Sequence, residues 1–435
     1  MPPADALTHR RVLAIALPIV LANATIPILG MVDTGVVGQL GEAAPIGAVG
    51  IGAVILTSLY WIFGFLRMGT SGLVAQAHGA GDRAQSGAHL LRALCVGLGA
   101  GLALVLLQGP LFGLAFRLSP ASAEVEALAR QYLSIRIWGA PATIGMYALT
   151  GWLIAVERTR GILLVQLLVN AVNIGLDLWF VLGLQMGVPG VAWATLAAEW
   201  SGFALALWFA RHALRDGLQA GGLWARAHLA RMAGVNGDIM IRSVLLQASF
   251  TTFLFMGAGQ GDVALAANQV LMQFLQITAY SLDGLAFAAE TLVGQAVGAR
   301  RADRVRRASR LTSAWAAGGA LLLAGVFAGA GGAIIDLLTT SPEVREVARI
   351  YLPWLVLAPL VGVASWMLDG IFIGATLTRE MRNAMVPSVA VYVLALLVLP
   401  PTFGNHGLWA ALMILNAMRG ITMASRYPRA EAAAA

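Results

Sequence analysis

The sequence predicts an all-α integral membrane protein: twelve transmembrane helices in two six-helix bundles, related by a pseudo-two-fold axis along the membrane normal. Three observations lead there: apolar composition, alternating arginine loops and an internal repeat. Of 435 residues, 59% are hydrophobic and 11% charged. A soluble chain carries about a quarter charged residues, and no soluble core could hide this much apolar surface. The 50 glycines suit close helix packing in lipid. The net charge of +7 comes from arginine alone, with no lysine. These arginines lie in short loops between apolar runs, which points to membrane topology and away from nucleic acid. The single cysteine, Cys95, makes neither an intrachain disulfide nor a zinc site.

Apolar runs of about 20 residues or more mark the spans. They fall near 12–37, 46–78, 87–115, 127–155, 161–184 and 188–211 in the first half. The second half repeats them near 238–258, 263–297, 307–337, 346–376, 382–401 and 406–425. The opening "HRRVLAIALPIVLANA" imitates a signal peptide, but its apolar run continues to Val37, long enough to span. Residues 1–214 are expected to form one lobe, 215–236 a cytoplasmic linker with a short surface helix, and 237–435 the other lobe. Arginines mark every even loop and both termini: Arg10 and Arg11, Arg83 and Arg92, Arg158 and Arg160, the linker, "RRADRVRRASR" (300–310), Arg379 and Arg382, and Arg426 and Arg429. The odd loops are poor in arginine, so the termini and even loops are expected on the cytoplasmic side of a bacterial inner membrane.

The chain matches itself at one offset of 219 residues. "LVAQAHGAGD" (73–82) matches "LVGQAVGARR" (292–301), "ARQYL" (129–133) matches "ARIYL" (348–352), and "GWLIAVERTR" (151–160) matches "GIFIGATLTR" (370–379). An even number of spans per copy orients both copies the same way, the arrangement of transporters that rock two lobes around a shared cavity.

Charged groups inside lipid are costly and mark function by default. Asp33 lies about four residues, and Asp177 about seven, below the outer ends of the first and fifth spans. Asn170, Asn173 and Asp177 recur at i, i+3, i+7 on one helix face. At the repeat-related positions stand Thr252, Tyr392 and Leu396 in place of Asp33, Asn173 and Asp177. Asymmetric polarity on a symmetric scaffold suggests a site. The alternative for Asp33 is a cap at the helix end, and for Asn170 an ordinary interhelical hydrogen bond. Two desolvated carboxylates side by side favour taking up a proton. Glu199 in the sixth span either faces a cavity and attracts cations or pairs with an arginine. Trp152 is a pocket candidate among tryptophans that also suit an interfacial belt. Arg242, Asp283 and Glu290 read as a structural or gating ion network of the second lobe, with Asp369 an intramembrane carboxylate of the tenth span. Pro18 and Pro27 interrupt the first span and permit a kink.

"PILGMVDTGVVGQLG" in the first span, the paired "LVAQAHGAGD" and "LVGQAVGAR", and "LDGLAFAAETLVGQAVGA" (282–299) together resemble the multidrug and toxic compound extrusion family. The last stretch resembles its subfamily named for the DNA-damage-inducible protein F. The resemblance covers essentially the whole chain. It implies export of drugs or metabolites driven by inward proton or sodium flow, with Asp33, Asn173, Asp177 and Thr195 at the matching positions. It also implies bending of the first helix on protonation, against a static kink. Sodium-coupled relatives use a carboxylate in the seventh span, and "SVLLQASFTTFLFM" (243–256) has none, which favours protons. A sodium site at Asp33, Asn173 and Asp177 stays open, since oxygen ligands suit a hard cation.

The leading expectation is therefore a monomeric, proton-coupled antiporter of organic cations or amphipathic compounds, without cofactor and not an enzyme. No Gly-Lys-Ser/Thr phosphate loop, nucleophile elbow or zincin motif is present. The rivals are a lipid-linked precursor flippase, which wants basic residues in its cavity, and a membrane scaffold, against which the asymmetric carboxylates count.

Overall fold

The structure is a computed structural model, and it describes residues 7–39, 42–118 and 122–435. It is helical throughout the expected spans. Helix α1 (His9–Gly38) starts where the Thr8 hydroxyl accepts a hydrogen bond from the Arg11 amide at 3.2 Å. Helix α2 (Ala43–Gly79) tightens into a 3₁₀ turn at Ile62–Gly64. Helix α3 (83–118) is capped by the Asp82 carboxylate, which accepts from the Gln85 amide at 2.9 Å, and is interrupted at Leu107. Helix α4 (123–155) is capped by Ser122 and tightens into a 3₁₀ turn at Ile137–Gly139. Helices α5 (Thr159–Gly183) and α6 (Gly187–Leu218) complete the first six.

The second six are α7 (Arg226–Ala258), α8 (Asp262–Gly298), α9 (Ala302–Leu338), α10 (Pro342–Gly374), α11 (378–403) and α12 (405–424). The last two are separated at Gly404, whose φ of 56° and ψ of −134° suit glycine and follow Pro400 and Pro401. The short α13 (Pro428–Ala432) ends the chain. The surface helix expected in the linker is the first part of α7: after a turn over 219–225 the helix runs without interruption, since no proline breaks it. Among the described residues, nine helical stretches are long and apolar enough to cross a membrane. That number is below twelve because α11 and α12 run together across Gly404 and because α4 and α8, which carry more polar residues, are not among the nine.

Two compact units result: one of residues 21–74 and 82–231, the other of 1–20, 75–81 and 232–435. The first packs Val36, Leu66, Tyr132, Leu133, Ile144 and Val191 into its core. The second packs Phe253, Phe274, Phe327, Tyr392 and Trp409. In the second, Asn268 and Asn405 exchange amide hydrogen bonds at 2.8 and 2.9 Å, and the Trp409 indole donates to Asn268 at 2.9 Å, which pins the chain beside the Gly404 break. Large apolar side chains such as Leu102, Leu106, Leu321, Leu322, Leu394 and Leu397 face outward, as a lipid solvent requires.

The repeat seen in sequence is also a repeat of backbone conformation. Gly81 and Arg300, 219 residues apart, both have positive φ (75° and 53°), and so do Glu157 and Thr376 (59° and 53°). Within the first unit, Gly151 touches the Arg67 carbonyl; within the second, Gly370 touches the Ala286 carbonyl, the repeat-related contact. A side chain at either glycine would meet backbone, so the same close helix crossing is built twice. In the second unit, Gly79 lies against the Gln295 carbonyl and Gly298 against the Gln76 carbonyl, a reciprocal contact made by the matching "AQAHG" and "GQAVG" stretches.

Candidate functional site

The first unit brings four predicted residues into one buried cluster and places a fifth, Asn170, two helical turns away on the same face. Asp33 on α1, Asn173 and Asp177 on α5, and Thr195 on α6 are each less than a tenth exposed, with Asn173 and Asp177 fully enclosed. The Thr195 hydroxyl lies 3.4 Å from Asp33 Oδ2 and 2.9 Å from the Val191 carbonyl oxygen. It holds one proton, so it donates to one of them at a time. Asn173 Nδ2 donates to Thr195 Oγ1 at 3.3 Å. Asp177 sits beside Asp33, within reach of a hydrogen bond once either carboxyl is protonated. Asn170 reaches α1 as well, donating to the Thr25 carbonyl at 3.3 Å and accepting from Gln166 at 3.1 Å. The register is consistent: eight residues separate Thr25 from Asp33 and seven separate Asn170 from Asp177, about 11–12 Å along parallel helices.

Acceptors outnumber donors here. Asp33 Oδ1, both Asp177 carboxylate oxygens and Asn173 Oδ1 are buried with no hydrogen-bond partner among the described residues. Buried polar atoms are ordinarily satisfied, and exceptions call for an explanation. The arrangement can take a proton between the carboxylates or a small cation among the oxygens; among the described residues no group of three or more His, Cys, Asp or Glu side chains gathers as for a metal ion. Directly after Asp177 the helix widens into a π-helical segment, Leu178–Gly183. Such segments are rare and recur at functional sites, because they change where neighbouring side chains point.

Glu199 lies one turn beyond Thr195 on α6 and pairs with Arg136, Oε2 to Nη1 at 2.7 Å and Oε1 to Nη2 at 2.9 Å. Of its two expected settings, the arginine pair is the one found. Arg136 also donates to the Tyr132 hydroxyl at 3.4 Å, and its charge acts on Asp33. Gly139, in the 3₁₀ turn, leaves room for the Glu199 carboxylate: a Cβ there would collide with it. Trp152 is buried with the Arg158 guanidinium 5.6 Å over its ring, at the far end of α4. Sixteen residues, about 24 Å of helix, separate it from Arg136, so the structure does not bring it to the carboxylate cluster. Helix α1 continues through Pro18 and Pro27.

In the second unit, Asp369 on α10 is paired with Arg242 on α7 and with Arg419 on α12, the latter at 2.7 Å. Arg419 also donates to Asn416 at 3.1 Å. Glu290 is buried on α8 and Asp283 half-buried on the same helix. Arg419, Arg136 as a bidentate partner, and the π-helical turn escaped sequence reasoning. The arginines left a signal in being intramembrane cations that need an acid partner; the π turn left none.

These features define a class: a two-unit helical membrane transporter whose polar residues converge in the helix interior. The comparisons sharpen it. The family model MatE matches residues 18–179 and 239–400, two stretches of equal length, one in each copy of the repeat. The chain is 40% identical to the DNA damage-inducible protein F of Escherichia coli over 95% of its length and 91% of that protein's. It is 27% identical to the probable multidrug resistance protein NorM of Pseudomonas aeruginosa, over 97% and 90% of the two chains. The crystal structure of the Vibrio cholerae MATE transporter VcmN in the bent form shares the fold, with a TM-score of 0.87 at 20% identity over 98% and 97% of the chains. The chain belongs to the multidrug and toxic compound extrusion family. It is a multi-pass membrane transporter and not an enzyme.

Proposed function

We propose that the protein is a proton-coupled antiporter that exports organic cations or amphipathic compounds, with Asp33 and Asp177 as the coupling pair. One observation carries this reading: among the described residues, three carboxylate oxygens of Asp33 and Asp177 and the Asn173 amide oxygen are buried in one cluster, and none of the four has a close hydrogen-bond donor. Buried negative charge without a partner is costly, so a proton entering the pair stabilises a closed cluster. Losing it leaves a negative site that draws in a cation or forces the helices to rearrange. Proton and substrate then favour different conformations, which is what exchange across two rocking lobes needs. Thr195 and Asn173 hold the pair in register. Arg136 balances Glu199 below it.

Protons are preferred over sodium for two reasons. Among the described residues no third carboxylate joins Asp33 and Asp177, and in the second unit Asp369 is already taken by two arginines. The flippase reading loses support because Arg136, the cation of the cluster, is engaged by Glu199. The arginine-rich even loops support cytoplasmic termini. Broad substrate choice fits the multidrug resistance named for NorM relatives.

The test is dye-cation transport in proteoliposomes under a proton gradient or a sodium gradient imposed separately. Transport driven by the proton gradient alone is expected. Transport driven only by sodium would recast the same oxygens as cation ligands and overturn the proton assignment.

A further inference from the structure

The arginine loop 300–310 carries more positive charge than topology requires, and its helical part builds a pocket. Arg306, Ser309, Arg310 and Ser313 recur at i, i+3, i+4, i+7 and so share one face of α9. They line a cavity of about 260 Å³ with Leu368 and Ile371 of α10 and with Tyr427 and Glu431 of the C-terminal segment, all within the second unit. Arg306 holds the Glu431 carboxylate by two hydrogen bonds, at 2.9 and 2.5 Å. Arg310 is exposed and makes no hydrogen bond or ion pair among the described residues, although its charge acts on Glu431. The Ser309 hydroxyl lines the same cavity beside the Tyr427 hydroxyl, on a residue 5% exposed.

We propose that this pocket seats the phosphodiester of an anionic phospholipid. Three features select that chemistry. The first is charge: two arginines against one carboxylate leave a single positive charge, which matches one phosphodiester. The second is donors: the Arg310 guanidinium and the Ser309 and Ser313 hydroxyls supply hydrogen bonds to phosphate oxygens, the pairing arginine favours. The third is position: the pocket opens at the end of α9 where the chain leaves the apolar span, and its floor of Leu368 and Ile371 is apolar. Basic pockets between helices at the membrane surface bind such head groups. Glu431 already occupies part of the phosphate's place on Arg306, so it competes with the lipid. The site does not depend on the coupling ion or the exported substrate.

The experiment is native mass spectrometry of the full chain in detergent, titrated with phosphatidylglycerol, with phosphatidylcholine and with inorganic phosphate. Wild type is expected to retain phosphatidylglycerol roughly fivefold better than phosphatidylcholine, the effect of about one arginine at a membrane surface. Arg310→Gln is expected to abolish that preference. Arg307→Gln, exposed in the same loop but outside the pocket, keeps it. Glu431→Gln strengthens phosphatidylglycerol binding by freeing Arg306, a gain that a merely structural ion pair would not give. Equal retention of the two lipids by wild type would overturn the proposal. So would equal losses in Arg307→Gln and Arg310→Gln, weaker binding in Glu431→Gln, or displacement of the lipid by an equal concentration of inorganic phosphate.

Discussion

Buried acids in the two units meet opposite fates. In the first unit Asp33 and Asp177 sit side by side, and among the described residues three of their oxygens have no close donor. In the second, Asp369 lies between Arg242 and Arg419. The repeat-related positions sharpen the contrast. Thr252, in the place of Asp33, is exposed and its hydroxyl donates back to the Ala248 carbonyl of its own helix. Tyr392 and Leu396, in place of Asn173 and Asp177, are buried in the apolar core of the second unit, with the tyrosine hydroxyl donating to the Ser249 carbonyl. One scaffold therefore carries an unsatisfied acceptor cluster in one copy and a filled core in the other. A carboxylate that already has its cations holds structure together. One without them leaves acceptors that a proton would satisfy, the role proposed for Asp33 and Asp177.

The largest expected effect breaks the second-unit pair. Asp369→Asn removes the carboxylate that both arginines share, and taking one partner from a buried ion pair costs about 3–5 kcal/mol. A pronounced fall in the melting temperature of the purified protein should follow. Asp33→Asn is expected to leave that temperature unchanged or raise it, because it removes an unpaired buried charge, while gradient-driven transport is lost. Equal destabilisation by both variants would erase the comparison. Next comes the doubled helix crossing. Gly151→Val and Gly370→Val both drive a side chain into backbone, and overpacking of this kind costs about 1–3 kcal/mol. The two losses in melting temperature should be similar, since the contacts are repeat-related. A loss at only one position would show that the units are not packed alike. Arg136→Gln strands Glu199 and should lower stability, whereas the double replacement Arg136→Met with Glu199→Leu should recover most of it. A double variant no better than the single would mean that Arg136 does more than balance Glu199. Thr195→Val removes one weak hydrogen bond to Asp33, worth about 1 kcal/mol, and is expected to shift the pH dependence of transport without abolishing it.

The smallest effect lies outside the membrane. The Arg306 hydrogen bonds hold the Glu431 carboxyl below its ordinary value. Its contribution is therefore present above that ordinary value and lost as pH falls through the lowered one. Arg306 is exposed and Glu431 is only half-buried, so the effect is small. Limited proteolysis of the C-terminal segment should quicken only at acid pH, and no faster in Glu431→Gln at neutral pH than in wild type at acid pH.

The spans were legible because lipid imposes a simple rule: long apolar runs, with arginines between them. The duplication was legible in three short matches, and the backbone turns at Gly81, Arg300, Glu157 and Thr376 repeat it. The i, i+3, i+7 face of α5 was legible because helical periodicity is fixed, and its partners on α1 follow from two helices running parallel. Other features were not. Nothing in the composition of "LWFVLG" signals a π-helical turn. Arg419 lies on α12, fifty residues from Asp369, and only the tertiary fold brings them together. Trp152 fits an aromatic pocket by type alone, and type does not say which end of a helix faces which site.

The most direct test of the contrast between the two units is proton release on substrate binding. Purified protein in weakly buffered detergent would be mixed with a dye cation and followed with a pH indicator, normalised to folded protein. The account predicts release by wild type and by the folded fraction of Asp369→Asn, and none by Asp33→Asn. Undiminished release by Asp33→Asn, or its loss in folded Asp369→Asn, would contradict the assignment of coupling to the first unit.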